Sequence, residues 1–169
     1  MSSLFRKFFK WIESVHKMVR KNGYAVSLFG RRRHLPNIKS PIRKYQFRAL
    51  RQGMNFVIQS SASDLMLHSI KRLHRYRDLA RLDFDILATV HDSVEVQCNA
   101  KDAEKVATLL KVVLPMTDDF QKMYGIKFVV PFEVDVEVGT SFGHLTEAKF
   151  SNKGNLLNGK EIQSFLQDA

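Results

Sequence analysis

The chain has 169 residues, 44% of them hydrophobic, which is enough to bury a core in one compact domain. Its 27 Lys and Arg against 17 Asp and Glu give a net charge of +10, unevenly placed: 19 basic and 3 acidic residues lie up to Arg81, and 8 basic and 14 acidic residues lie beyond it. A single cysteine, Cys98, excludes an internal disulfide framework, and no apolar run approaches the ~20 residues that span a bilayer, so the expectation is a cytoplasmic protein with a polyanion as partner and no membrane.

Phe5, Phe8, Ile12, Val15 and Val19 recur at helical spacing, with Ser2 or Ser3 to cap the helix and Gly23 to end it. Tyr24 to Phe29 alternates weakly and runs into Gly30, Arg31, Arg32, Arg33 and His34, which predicts a short hairpin with a basic tip. Ser40 and Pro41 open a second helix carried to about Met54. Asn55 to Ser61 is expected to be a joint, after which Ser61 and Asp64 form a capping box for a third helix with Leu65, Met66, Ile70 and Leu73 buried. Lys71, Arg72, Arg75, Arg77 and Arg81 are expected on its solvated face.

The second half changes character. Ile86 to Val90 and Val94 to Cys98 read as a hairpin, Asn99 opens a helix with Ala103, Val106, Leu110 and Val113 inward, and Pro115 breaks it. FEVDVEV, Phe132 to Val138, alternates strictly and is expected as a third strand, with Glu133, Asp135 and Glu137 on its outer face. From Gly143 onward the signal fades into a polar stretch with one short helix near Glu161 to Leu166. The predicted class is α+β, a three-stranded antiparallel sheet fragment with packed long helices.

Asp92 stands out, an acid at the tip of a predicted hairpin. Its plain explanation is a turn cap, the carboxylate accepting a neighbouring backbone amide. The ordered series GYAVSLFGRRRHLPNI, RQGMNFVIQSSASDL, VHDSVEV and FEVDVEVG is what gives it another meaning. That series resembles the C-terminal part of family A DNA polymerases, the DNA polymerase I type, from about Phe5 to Phe142. The resemblance implies a palm and fingers segment over residues 1–145, followed by a polar extension over 146–169.

The same resemblance makes VHDSVEV the palm hairpin known as motif C, with Asp92 as the carboxylate that holds catalytic magnesium. Two divalent ions roughly 3.5–4 Å apart can activate a primer hydroxyl and stabilise the leaving pyrophosphate. His91 matches a residue near the primer terminus. Arg51, Asn55 and Gln59 match residues that meet the minor groove and template at the nascent base pair, where donors can test pair geometry without reading sequence. The triplet Arg31, Arg32 and Arg33 is expected to meet phosphates.

Two departures from the family pattern follow. Ser93 stands where many members carry Glu, and Glu95, two residues further along the strand, is read as solvent-facing. Phe142 stands where a Trp is common, which reads as a conservative packing change. The family's other carboxylate motif, resembling DYSQIELR, and its fingers helix are absent from the 169 residues.

The expectation is therefore a C-terminal portion of a DNA-directed DNA polymerase, from a split or intron-interrupted bacteriophage gene. It would act on primer-template DNA and deoxynucleoside triphosphates once an upstream polypeptide completes its site. A non-catalytic DNA-binding remnant is the alternative, and a metal-dependent nuclease using Asp92 with Asp135 or Glu137 is a third. Phe5, Phe8, Phe9 and Trp11 are expected to form an open apolar patch.

Overall fold

The computed structural model describes residues 5–151 and 154–167, so the expected cap at Ser2 or Ser3 lies outside the described residues. The chain divides into two compact units, Met1–Leu65 and Met66–Ala169. The α+β class holds.

In the first unit, α1 (Arg6–Asn22) ends as its spacing predicts: Gly23 takes φ +76° and returns its N–H to the Val19 carbonyl. Strands β1 (Tyr24–Val26) and β2 (Arg32–His34) pair antiparallel, Tyr24 opposite His34 and Val26 opposite Arg32. A 3-10 turn over Pro36–Lys39 then leads to α2 (Arg43–Ala80), 38 residues long. Val15, Val19, Ala25, Leu35, Ile38, Ala49 and Leu50 form the core of this unit, with Trp11, Met18, Phe56 and Val57 packed on it. Trp11 is thus withdrawn from the expected apolar patch, while Phe5, Phe8 and Phe9 are exposed.

The expected joint at Asn55 to Ser61 is not a break, and α2 runs through it. The polar residues that suggested a joint are accommodated by the helix itself. Ser61 donates its hydroxyl to the Val57 carbonyl one turn back (2.6 Å), so its competing hydrogen-bonding capacity is met without unwinding. Gly53, ordinarily a weak point, lies close against the core: a Cβ there would lie 2.9 Å from Val19 Cγ2 and 3.1 Å from Leu35 Cδ1. Packing overrides the local preference.

In the second unit, β3 (Phe84–Val90) and β4 (Ser93–Cys98) form the expected hairpin, and α3 (Ala103–Val113) and α4 (Asp118–Tyr124) follow. Leu73, Phe84, Val106 and Val113 make one core, joined by Ile86, Val94 and Val96. Arg72 does not lie on a solvated face. It is 6% exposed, donates from Nη1 to the carbonyls of Val113 (3.0 Å) and Met116, and pairs through Nε with Asp119 (3.1 Å). With Ser69, which donates to the Leu114 carbonyl, it supplies donors to carbonyls at and just beyond the end of α3. Lys71, Arg75 and Arg81 are exposed as expected.

The third strand differs too. Only Glu137 and Val138 of FEVDVEV are in β5 (Glu137–Ser141), which pairs with β6 (His144–Glu147) and not with the β3–β4 hairpin. The strands among the described residues form three two-stranded sheets instead of one three-stranded sheet. The cause is visible in the backbone: the Val134 carbonyl accepts from Lys111 Nζ (2.5 Å) and the Val136 carbonyl from the Ala148 amide (2.8 Å), so this segment is bonded to other partners.

The polar end of the chain is packed: Ile162 on α5 (Gly159–Gln167) is fully buried with Ala107, Val136 and Ala148. Phe142 makes no packing substitution for a Trp, because it occupies the β5–β6 turn and is 75% exposed.

Candidate functional site

The position of Asp92 follows from strand register. At the base of the hairpin Phe84 faces Cys98 and Ile86 faces Val96; nearer the tip Ala88 faces Glu95 and Val90 faces Ser93. The register therefore shifts by one residue at Leu87, a β-bulge. Unshifted pairing would bring Val90 opposite Asp92 and leave His91 alone to reverse the chain, which a hairpin cannot do. The bulge makes room for a two-residue turn, His91 and Asp92.

That turn is built from unusual residues. His91 has φ +55°, the left-handed region where Gly is the ordinary occupant, at a cost of about 1–3 kcal/mol. Both turn residues are exposed. The Asp92 carboxylate makes no hydrogen bond or ion pair among the described residues, so the turn-cap explanation finds no support in its contacts. Ser93 supplies the local bonding instead: its hydroxyl lies 3.2 Å from the Val90 carbonyl and 2.9 Å from Glu95 Oε1, and its one proton serves either acceptor.

Ser93 and Glu95 share the strand face opposite Val94 and Val96, which pack inward. Among the described residues no three His, Cys, Asp or Glu side chains group as a metal site. One exposed hard carboxylate suits magnesium, which is commonly held by one or two carboxylates together with substrate phosphates and water. A single carboxylate is short of the ligands that a pair of such ions needs. At the far end of β4, burial first and the charge of Asp102 second push the Cys98 thiol above the ordinary range.

In the first unit the structure sets Arg51, Asn55 and Gln59 along one side of α2, all exposed, while Ala49, Leu50 and Gly53 face the core. The arginine triplet separates. Arg32 and Arg33 lie in β2 without an ion pair among the described residues, and the Arg32 guanidinium sits 5.2 Å from the Tyr24 ring centre. Arg31 instead grips Asp64 through Nε (3.1 Å) and Nη2 (2.5 Å).

Asp64 is thus no capping-box residue. It lies mid-helix, 7% exposed, and also accepts from the Ser27 hydroxyl (3.3 Å). Sequence reasoning missed this network, although one signal was present: Asp64 and Glu13 are the only acids before Asp78 in a strongly basic stretch.

With this geometry in hand, comparison with known proteins is decisive at the level of family. The family model described as DNA polymerase family A matches residues 2–144. The chain belongs to that family. Curated relatives include the thermostable DNA polymerase I of Thermus caldophilus, 35% identical over 137 residues, covering 80% of this chain and 15% of the relative. Another is the DNA polymerase of Bacillus phage SP01, 30% identical over 144 residues, covering 85% of this chain and 16% of the relative.

Among solved structures, the POL domain from M. smegmatis in complex with DNA primer-template and dNTP superposes with a TM-score of 0.63. It is 26% identical and covers 73% of this chain and 20% of that one. The chain therefore spans about a sixth of the length of the curated relatives it matches. Among the described residues no helix is long and apolar enough to cross a membrane.

Proposed function

We propose that this family A segment is the C-terminal portion of a DNA-directed DNA polymerase and takes part in template-directed nucleotidyl transfer on primer-template DNA with deoxynucleoside triphosphates. The observation that carries the reading is Asp92, an exposed carboxylate without a partner among the described residues, fixed by a bulge and a two-residue turn whose first residue is held at positive φ. The likeness to a polymerase solved with primer-template and dNTP supports it. Asp92 would hold magnesium, which when bound would supply positive charge toward a primer hydroxyl and the leaving pyrophosphate.

In this reading Asp92 holds one ligand position from a stiff support, His91 lies at the primer end, and Arg51, Asn55 and Gln59 offer donors to the minor-groove acceptors of the new pair. Basic side chains of the first unit, 14 Lys and Arg against Glu13 and Asp64, hold the DNA backbone. One carboxylate cannot neutralise a pair of divalent ions. The remaining ligands, and the groups that grip the nucleotide's phosphates, come from an upstream polypeptide carrying the DYSQIELR-like motif and the fingers helix. A split or interrupted bacteriophage gene in a host cytoplasm is the proposed setting; a phage DNA polymerase is among the relatives.

The test is primer extension by the chain mixed with a polymerase segment bearing the missing motif. Activity that appears on mixing and disappears with Asp92→Asn is the expected result; activity surviving that substitution refutes the metal role. A second reading, a non-catalytic DNA-binding remnant, is favoured by Ser93 standing where the resemblance calls for a carboxylate. It predicts salt-sensitive binding to primer-template and no extension with any partner.

A further inference from the structure

We propose that the arginine triplet is divided in function: Arg31, though its side chain is 56% exposed, is a strut that positions the basic hairpin, and only Arg32 and Arg33 are offered to phosphate. The phosphate half of this inference rests on the DNA reading above; the strut half stands on contacts alone. Asp64 meets the guanidinium of Arg31 with its side chain 9% exposed, so most of the acid's surroundings are protein and its chief compensating charge is Arg31. A phosphate competing for Arg31 would have to leave that carboxylate uncompensated.

The strut belongs to a wider network that fixes the reversal between β1 and β2. Ser27, 5% exposed, donates its hydroxyl to Asp64 and accepts the Arg31 amide on the same oxygen (3.1 Å). The Ser27 amide donates to the Arg31 carbonyl (2.8 Å). The Leu28 amide donates to Ser61 Oγ (2.9 Å), and Ser61 is itself anchored to Val57. Both ends of the reversal are therefore tied to one stretch of α2, residues 57–64. Arg32 and Arg33 follow directly on β2, both exposed.

Binding of the full-length chain to a fluorescent primer-template duplex, measured against salt concentration, separates the roles, because each phosphate contact contributes about 0.9 to the slope of log K against log salt. Arg32→Gln and Arg33→Gln are expected each to flatten the slope by about that amount and leave the melting temperature unchanged. Arg31→Gln is expected to leave the slope unchanged and to lower the melting temperature by about 5 °C. Arg31→Lys, which keeps one charged donor for Asp64, loses less and covers the case in which Arg31→Gln does not fold.

The decisive variant is Asp64→Asn, which removes the acid's charge at nearly constant shape. It steepens the slope by up to about 0.9, because the guanidinium it releases becomes free to take a phosphate; a guanidinium already engaged by phosphate would leave the slope alone. Flattening by Arg31→Gln equal to that by Arg32→Gln, or an unchanged slope in Asp64→Asn, overturns the division. If Arg32→Gln and Arg33→Gln leave the slope unchanged, their phosphate role and the DNA reading of this hairpin fall together. A lowered melting temperature in Arg31→Gln alone then still upholds the strut.

Discussion

At the tip of the β1–β2 hairpin the polar groups are engaged: Arg31, Ser27 and Asp64 bond to one another and Ser61 holds the Leu28 amide. At the tip of the β3–β4 hairpin the Asp92 carboxylate has no partner among the described residues, and the only side-chain bonds beside it are those of Ser93. Both reversals are anchored, but by different means. The basic hairpin is held from outside by a helix, whereas the acidic one is set by its own bulge and by core packing at its base. A charge that is already compensated reports on architecture, and one left open beside a strained turn residue is a candidate for a ligand.

That contrast is tested most severely by Asp92→Asn, which should reduce primer extension by the completed polymerase on the order of 10⁴-fold. The same substitution should alter folding stability by less than about 0.5 kcal/mol, since the side chain is exposed and unpaired. Next in size is Arg72→Met, which removes the donor from the Met116 carbonyl and one of two from the Val113 carbonyl, and should cost about 3 kcal/mol in urea unfolding. Lys71→Met and Arg75→Met, exposed neighbours on the same helix, should each stay within about 0.5 kcal/mol.

Removing the acid at the braced tip, Asp64→Ala, leaves Ser27 and Arg31 without their acceptor and should cost about 1–3 kcal/mol. Ser93→Ala at the open tip should cost less than about 0.5 kcal/mol by the same measurement, since water can replace its bonds. Equal losses in the two variants would erase the distinction between a braced and an open tip.

The smallest effect concerns pH. Burial first, and the charge of Arg20 second, lower the pKa of His16 on α1. The unfolded chain therefore takes up a proton before the folded one. The stabilising contribution is full above the ordinary imidazole range and is lost as pH falls through it. A slight fall in melting temperature on acidification, abolished in His16→Gln, is the expected observation.

Much of this was legible in sequence where the signal was local. The core face of α1, its Gly23 terminus, the hairpin around Asp92 and the helix beginning near Ala103 all rest on spacing and turn chemistry within a few residues. What could not be read depended on distant partners. The run from Asn55 to Ser61 looks like a joint until Val19 and Leu35 close on Gly53, and Arg72 looks like a surface cation until the end of α3 needs capping.

FEVDVEV alternates like a strand, yet Lys111 and Ala148 take its carbonyls. At the site, the residue type at the tip was legible. The bulge at Leu87 and the positive φ of His91, which make the tip possible, were not, because alternation on each strand is the same whether or not the register slips.

The central claim is that the open carboxylate of the β3–β4 turn holds a divalent cation. Manganese substitutes for magnesium and broadens nearby amide resonances, so NMR of the labelled full-length chain, mixed with a polymerase segment bearing the missing motif and titrated with manganese and deoxynucleoside triphosphate, reads the site directly. The account predicts broadening centred on His91, Asp92 and Ser93 that vanishes in Asp92→Asn. Broadening centred on Asp135 and Glu137, or unchanged by that substitution, would contradict it.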